Sequence, residues 1–463
     1  MKMNNVLSEL IYEYYESRIL FGIYRYGEQL MSVPRICASF GFGRNTVQSA
    51  LDKLEKKGYI VTEERKAARI VYQGTEELFK KNAAEYFTPR KEGILDFYFG
   101  GNLLFLPIWK IGIFRLQKDP MSHRFWNQNM PGKATVPVPV LLYFDILNSF
   151  HNELLINLYW QCLRYLNFVY SISNREKPDN GTVKMFSSND INSLKREFDS
   201  YFNKLRNEVM DFIESARGKY DMEPVCQIPF TWTIYRRRPQ VRYTLASVII
   251  REILWEHYPV GSYLPSLPQM AETYHVSIST VRRTLTVLHS LGVTRTYTGI
   301  GTQVCLEPVD SDILNVSEIH ENLRLHGEAM QILALTVREV TLVTLKAASD
   351  RKREELLHTI AQLRGKTSSI LCIDVLLSFI SSECPSAFIR ECYDKLRELA
   401  AWGYIFSAVL MSAGQLDCDF GDFIGRLEKN LRDGNLAGFA DEWHYFVESR
   451  MNFFYTEFPL KDL

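Results

Sequence analysis

The feature that most constrains this chain is that part of it is written twice. Gly27, Leu30, Ser32, Pro34, Thr46, Val47, Leu51, Leu54 and Gly58 recur 234 positions later as Gly261, Leu264, Ser266, Pro268, Thr280, Val281, Leu285, Leu288 and Gly292. Nine identities in 32 positions without a gap mark an internal duplication, so the chain must build one kind of unit twice. Its 463 residues leave room for two to four domains. The blocks Phe144-Asp145-Ile146-Leu147 and Ile373-Asp374-Val375-Leu376 are also alike. They extend the duplication, with a small change of length, into the stretch C-terminal to each copy.

The second copy is the easier to read. Leu264-Pro265-Ser266 closes an extended run, and the serine oxygen is suited to cap a helix. Met270, Ala271 and Tyr274 then give one face of a short helix, and His275-Val276-Ser277 a tight turn. A second helix opens with Thr280, Val281, Arg282 and Arg283 and carries the stripe Val281, Leu285, Leu288, Leu291. Gly292 offers the left-handed stop. Two short β-like runs come next, around Gly299-Ile300-Gly301. Helix, turn, helix and hairpin make a winged helix-turn-helix, whose second helix is shaped to enter a major groove.

The first copy repeats the plan after an amphipathic helix from Ile11 to Phe21, but its surface differs. Arg44 stands where the second copy has Ile278, Gln48 where it has Arg282, and Gly43 where it has Ser277. Its wing, Thr62 to Tyr72, has Ala67-Ala68 in place of glycines and carries Arg65, Lys66 and Arg69. Arg236-Arg237-Arg238 forms a basic arm ahead of the second copy, suited to lie along a backbone or in a minor groove.

These residues resemble the DNA-binding domain of the GntR family of bacterial transcription regulators. The resemblance rests on Pro239 and Tyr243, Gly261, Leu264-Pro265-Ser266, Ser277, Thr280-Val281-Arg282, Leu288, Gly292, and Gly299, Gly301 and Thr302. The sequence departs at Pro268 and Ile278, where family members often carry arginines that touch DNA. The resemblance implies double-stranded DNA as partner. In the first copy the expected contacts are Ser32, Arg35, Arg44, Asn45, Thr46 and Gln48, with Arg65, Lys66 and Arg69 on the wing. In the second they are Ser266, Ser277, Ser279, Thr280, Arg282, Arg283, Gly299, Gly301 and Thr302, preceded by Arg236, Arg237 and Arg238. Arginine can pair with guanine and asparagine with adenine.

The expected fold is mainly α, two winged helix-turn-helix domains at 1–73 and 234–307, each followed by an all-helical domain at 75–230 and 310–463. The first helical domain reads as a Pro- and Gly-containing interruption at Met130 to Val140, an apolar helical block from Leu141 to Tyr170, a loop at Arg175 to Gly181 and a long helix from Asp190 to Arg217. Pro224 to Pro239 reads as a linker. The second reads as helices over Glu318–Leu345, Asp350–Leu363, Ile370–Ile380, Pro385–Ala408 and Asp419–Arg450. These halves are similar to the helical effector domain of the FadR-like branch, which often binds a metal through an aspartate and three histidines. Asp145 or Asp374 matches the aspartate, but Ser149 or Ser378 stands where a histidine belongs, and His444 alone matches a further ligand. No metal and no cofactor is expected. A small-molecule effector is expected, with Phe97, Tyr98, Trp109, Trp126, Tyr159 and Trp160 as candidate lining; plain core packing is the alternative for each.

Net formal charge is zero, but residues 1–73 carry 11 basic and 8 acidic side chains and residues 234–307 carry 8 and 4. Two mildly basic modules on an acidic remainder suit DNA binding. The eight cysteines show no paired or C-x-x-C spacing, and the start, MKMNNVLSEL, lacks a signal peptide's apolar core, so a cytoplasmic protein with reduced thiols is expected. The apolar run from Ile94 to Phe114 is broken by Asp96, Gly100-Gly101-Asn102, Pro107 and Lys110 and reads as buried helix, not membrane span. No phosphate loop, H-E-x-x-H or nucleophile elbow is present, so no enzyme is expected. The expected assembly is a monomer with two heads or a homodimer. The competing reading is a protein-interaction scaffold that uses winged helices without binding DNA.

Overall fold

A computed structural model describes residues 4–40, 43–63, 66–118, 138–167, 191–220, 226–234, 241–307, 317–364, 367–412 and 420–457. The fold is mainly α, with two two-stranded sheets among the described residues. Two compact units meet in the chain at Arg237/Arg238, with the short stretches Leu103–Ile108 and Glu153–Leu155 grouped with the second.

The first unit opens with α1 (Asn4–Leu20), α2 (Val33–Phe40), α3 (Arg44–Lys56), β1 (Ile60–Val61) and β2 (Arg69–Ile70). The first helix starts earlier than Ile11, at Asn4. Ile11, Tyr14, Tyr15 and Ile19 of α1 and Val47, Ala50, Leu51 and Leu54 of α3 are buried, and the two helices pack together. Next come α4 (Glu76–Phe87), α5 (Lys91–Lys118), α6 (Val138–Asn148), α7 (Glu153–Tyr165) and α8 (Ile191–Tyr220). Thr75 caps α4 by accepting from the Leu78 amide at 3.2 Å, with Glu76 and Glu77 on the positive end of the helix dipole.

The second unit repeats the opening as α9 (Val241–Leu254), α10 (Leu267–Thr273), α11 (Ile278–Ser290), β3 (Thr294–Tyr297) and β4 (Gly301–Val304). The duplication extends to individual backbone hydrogen bonds. The Gly27 amide donates to the Ile70 carbonyl at 2.9 Å, and Gly261 to Val304 at 2.8 Å; Leu30 donates to Ala68 and Leu264 to Thr302, both at 2.8 Å. Every one of these partners lies 234 positions from its twin. Gly27 and Gly261 sit at φ 85° and 90°, a conformation that an L side chain resists, which accounts for the repeated glycine.

The second unit continues with α12 (Ser317–Ala347), α13 (Asp350–Gln362), α14 (Cys372–Glu383), α15 (Ala387–Ser412), α16 (Phe420–Arg432) and α17 (Leu436–Glu457). The stretch expected as one helix from Asp419 to Arg450 is thus two. Gly434 takes φ 69° and Asn435 recaps the chain by accepting from the Gly438 amide at 3.0 Å. The block expected from Leu141 to Tyr170 also divides, because His151 adopts φ 51° just after α6. Residues 119–137 and 168–190, with the loop Arg175–Gly181 and Trp126, lie outside the described residues, as does much of the linker from Pro224 to Pro239. Residues 226–234 contain no helix.

The helical stretch Glu76–Leu116 is long and apolar enough to cross a membrane by length and composition. Its Ile94, Leu104, Ile108, Trp109 and Ile113 are buried within the protein, while Leu95, Phe99, Ile111 and Phe114 are exposed.

Candidate nucleic-acid interface

Each winged helix exposes one face of its second helix. In α11, Ser277 stands at the N-cap and its Oγ accepts from the Thr280 amide at 3.2 Å. Ser279 Oγ and Thr280 Oγ1 each lie 2.8 Å from the same oxygen, so the first-turn hydroxyls form one cap network. Val281, Thr284, Leu285, Val287 and Leu288 turn inward. Thr284 Oγ1 donates within the helix and lies 3.2 Å from the Arg242 carbonyl, which ties α11 to α9. Ile278, Ser279, Arg282, Arg283 and Thr286 are left exposed.

In α3, Gly43 occupies the cap and offers no side chain. The exposed face consists of Arg44, Asn45, Gln48, Ser49 and Asp52, and Gln48 Nε2 donates to Asp52 Oδ1 at 2.9 Å. Residues four apart share a helix face, so the outward row is Arg44–Gln48–Asp52 in one head and Ile278–Arg282–Thr286 in the other. Each row carries one arginine, at a different level. Among the described residues no carboxylate pairs with Arg44, Arg282 or Arg283.

The remaining sequence-expected residues are distributed around these helices. Ser32 and Arg35 are exposed at the start of α2. Ser266 precedes α10, where its amide and hydroxyl donate to Gln269 Oε1 at 2.9 and 2.7 Å. The second wing turns through Thr298–Ile300, with Gly299 at φ 79° and Gly301 at φ 150°. A side chain at Gly301 would also come within 3.2 Å of the Tyr263 ring. Lys66 holds Glu63 at 2.6 Å, a surface pair that a phosphate could replace at little cost. Arg69 sits half-buried on β2. Thr46 and Thr302 depart from a contact role, being 3% and 8% exposed: Thr46 lies on the buried face of α3, and Thr302 Oγ1 lies 3.1 Å from Thr296 Oγ1 across the wing sheet. Arg65, Arg236, Arg237 and Arg238 lie outside the described residues.

Sequence reasoning missed how the second head is tied to helices of its own unit. Asp374, 1% exposed on α14, accepts from Arg397 Nε and Nη2 of α15 at 2.8 and 2.9 Å. Arg251 of α9 approaches the same carboxylate at 3.8 Å. An acid inside the apolar run Ile373–Leu376 was a signal that a partner exists, but nothing in the spacing named Arg397 or Arg251. These residues do not fit the FadR-like metal: both Asp374 oxygens are taken by a guanidinium, and His444 Nδ1 is held 3.0 Å from the Ala334 carbonyl. Among the described residues no cluster of three or more histidine, cysteine, aspartate or glutamate side chains could hold a metal ion.

Three of the aromatics expected as effector lining, Trp109, Tyr159 and Trp160, pack as core. Trp109 clusters with Ile113, Leu142, Ile146 and Phe198, while Tyr159 stacks on Tyr143 at 5.2 Å and Trp160 meets Phe144 at 4.4 Å. Phe97 and Tyr98 are half-buried. A groove of about 410 Å³ lies instead in the second unit, lined by Trp255 just beyond α9 and by Lys352, Ser378, Phe379, Glu383 and Arg397 among others.

Comparison with known proteins gives the same division. The family model for bacterial regulatory proteins, gntR family, matches residues 7–70 and again residues 244–304. No curated protein matches the chain. Among solved structures, Streptococcus agalactiae GntR is similar at 19% identity and TM-score 0.21, covering 46% of this chain and 99% of its own. E. coli McbR/YncC is similar at 15% identity and TM-score 0.27, covering 46% and 98%. A transcriptional regulator (GntR family member) from Pseudomonas syringae pv. tomato str. DC3000 is similar at 16% identity and TM-score 0.19, covering 46% and 84%. The two matched segments coincide with the two winged helices and with the repeat of 234, so the chain carries a gntR-family domain twice in tandem.

Proposed function

We propose that both heads read DNA, and that their unlike outward rows select an operator with two unlike halves. The observation that carries this reading is the pair of rows Arg44–Gln48–Asp52 and Ile278–Arg282–Thr286, exposed at matching places on two folded helix-turn-helix units. Asn45 and Arg283 flank them, and Lys66, Arg69 and Arg35 supply backbone contacts, with Arg65 and the triplet Arg236–Arg238 as further phosphate ligands. The domains are 1–73, 75–230, 234–307 and 310–463. The protein acts in the cytoplasm as a regulator and not as a catalyst.

A small effector acts through the helical domains. The groove beside Trp255 supports this, because its walls come from α13, α14 and α15 and from the chain end of α9. A molecule bound there with different affinity in two head positions would shift operator affinity by that difference.

The test is selection of random duplexes on the full chain at moderate salt. The expected result is one motif with two unlike halves. In the double variant Arg282→Ala, Arg283→Ala, binding to that duplex should weaken at least about tenfold, and the salt dependence should flatten by about one to two phosphate equivalents. A second reading draws on Tyr263 and Ile300, 47% and 71% exposed on the second head, as a surface for protein contact. Selection without enrichment, with assembly altered in the arginine variant, would favour it.

A further inference from the structure

We infer that Ile278 reads the 5-methyl group of a thymine in the half-site contacted by the second head, so that this head recognises one base by apolar contact and its neighbour by arginine. The inference rests on the reading that α11 enters the major groove.

Ile278 is the first residue of α11 and is 42% exposed. A single exposed isoleucine means little on a protein surface. Its neighbours give it meaning. The polar side chains of the first turn, Ser279 and Thr280, are drawn to Ser277 Oγ at 2.8 Å and serve the cap. That leaves Ile278 as the large side chain projecting from the leading turn. Arg282 stands one turn later on the same face, without a described carboxylate partner. In the other head the same level carries Arg44, whose guanidinium suits the O6 and N7 acceptors of guanine. Isoleucine offers no donor to those acceptors, and a polar base edge pressed on it would lose its water without a replacement bond. In a major groove the apolar feature available to a butyl side chain is the thymine methyl. A β-branched side chain also has few rotamers to lose in a helix, so little ordering entropy opposes the contact.

The experiment uses the full chain and the duplex it enriches from a random library. Each thymine of that duplex is replaced singly by uracil, which removes the methyl and leaves the pairing edge intact. One thymine in the half assigned to the second head, next to the base lost in the Arg282→Ala variant, should be sensitive, with affinity falling about fourfold for one buried methyl. Ile278→Ala should remove that sensitivity, Ile278→Val should keep part of it, and Ile278→Arg should shift selection at that position to guanine. Because the side chain is exposed, all three variants are expected to fold, and unchanged thermal unfolding verifies it. An enriched duplex with no methyl-sensitive position, or sensitivity that persists in Ile278→Ala, overturns this inference while leaving DNA reading by the head intact. No enriched duplex at all overturns both together, and enrichment of a peptide ligand by the same face would assign it to protein contact.

Discussion

Two buried aspartates, one in each helical half, meet different surroundings. Asp374 is neutralised by Arg397 at 2.8 and 2.9 Å. Asp145 is 4% exposed, its Oδ2 has no hydrogen-bond partner among the described residues, and burial pushes its carboxyl up to about 7. A carboxyl whose folded value is raised binds its proton more tightly in the folded state. The unfolded chain releases that proton near pH 4, the folded chain near 7, so stability falls as pH rises through this window and is level above it. Asp145→Asn removes the ionisation while keeping the shape. At pH 4 the variant should match the parent within about 1 kcal/mol. At pH 8 it should be more stable by up to about 3 kcal/mol, since each pH unit between the folded and unfolded values is worth about 1.4 kcal/mol and solvent screens part of it. Urea midpoints at the two pH values measure this, and a pH-independent difference would show that the fold does not hold the Asp145 proton. Both acids were visible in the sequence within apolar runs. Their different fates were not, because the partner that decides them stands 23 residues from Asp374 on another helix.

At the scale of elements, α9 belongs at once to the second head and to the helical packing of its unit. Tyr243 meets Trp402 edge-on at 5.7 Å, Thr244 Oγ1 donates to Glu398 Oε1 at 2.6 Å, and Arg251 reaches toward Asp374. On its other side α9 packs against α11, with the Arg242 carbonyl near Thr284. A change in α14 or α15 therefore has a direct route, one helix deep, to α11. Asp374 anchors this arrangement. Asp374→Ala leaves Arg397 without its buried counter-ion and should lower unfolding stability by about 3 kcal/mol. The paired change Asp374→Leu, Arg397→Met removes both charges and should recover most of it, since an apolar pair of similar volume is often as stable as the ions. A double variant no better than the single one would mean that the aspartate contributes through packing alone. The helix-turn-helix itself was legible in advance, because caps, stripes and glycines are local signals. The breaks at His151 and Gly434 were not, since each depends on one residue taking a positive φ inside a stretch that stays helical in pattern.

For the whole molecule, duplication changes what two DNA-reading heads on one chain could recognise. Two copies of a single head are bound to read alike halves, whereas two heads encoded at separate places can diverge residue by residue. The divergence here reaches the outward rows while the backbone pairing of the heads is kept. The backbone bonds Gly27–Ile70 and Gly261–Val304 persist, while Ile278 replaces Arg44 and Arg282 replaces Gln48 across the repeat. The charge pattern agrees, with a surplus of three basic side chains in residues 1–73 and four in 234–307, against an acidic excess of seven elsewhere that discourages binding by the rest of the chain. If the outward rows set specificity, they should be transferable. Ile278→Arg together with Arg282→Gln gives the second head the first two members of the first head's row, at exposed positions whose replacement leaves the buried stripe Val281, Leu285, Leu288 untouched. The variant should select a duplex in which the two halves have become alike at the bases those residues face, with total affinity within about tenfold of the parent because one arginine is retained in each row. A motif that keeps its two unlike halves would mean that the heads are told apart by wing, arm or DNA shape, and that the reading rows only position the protein on its site.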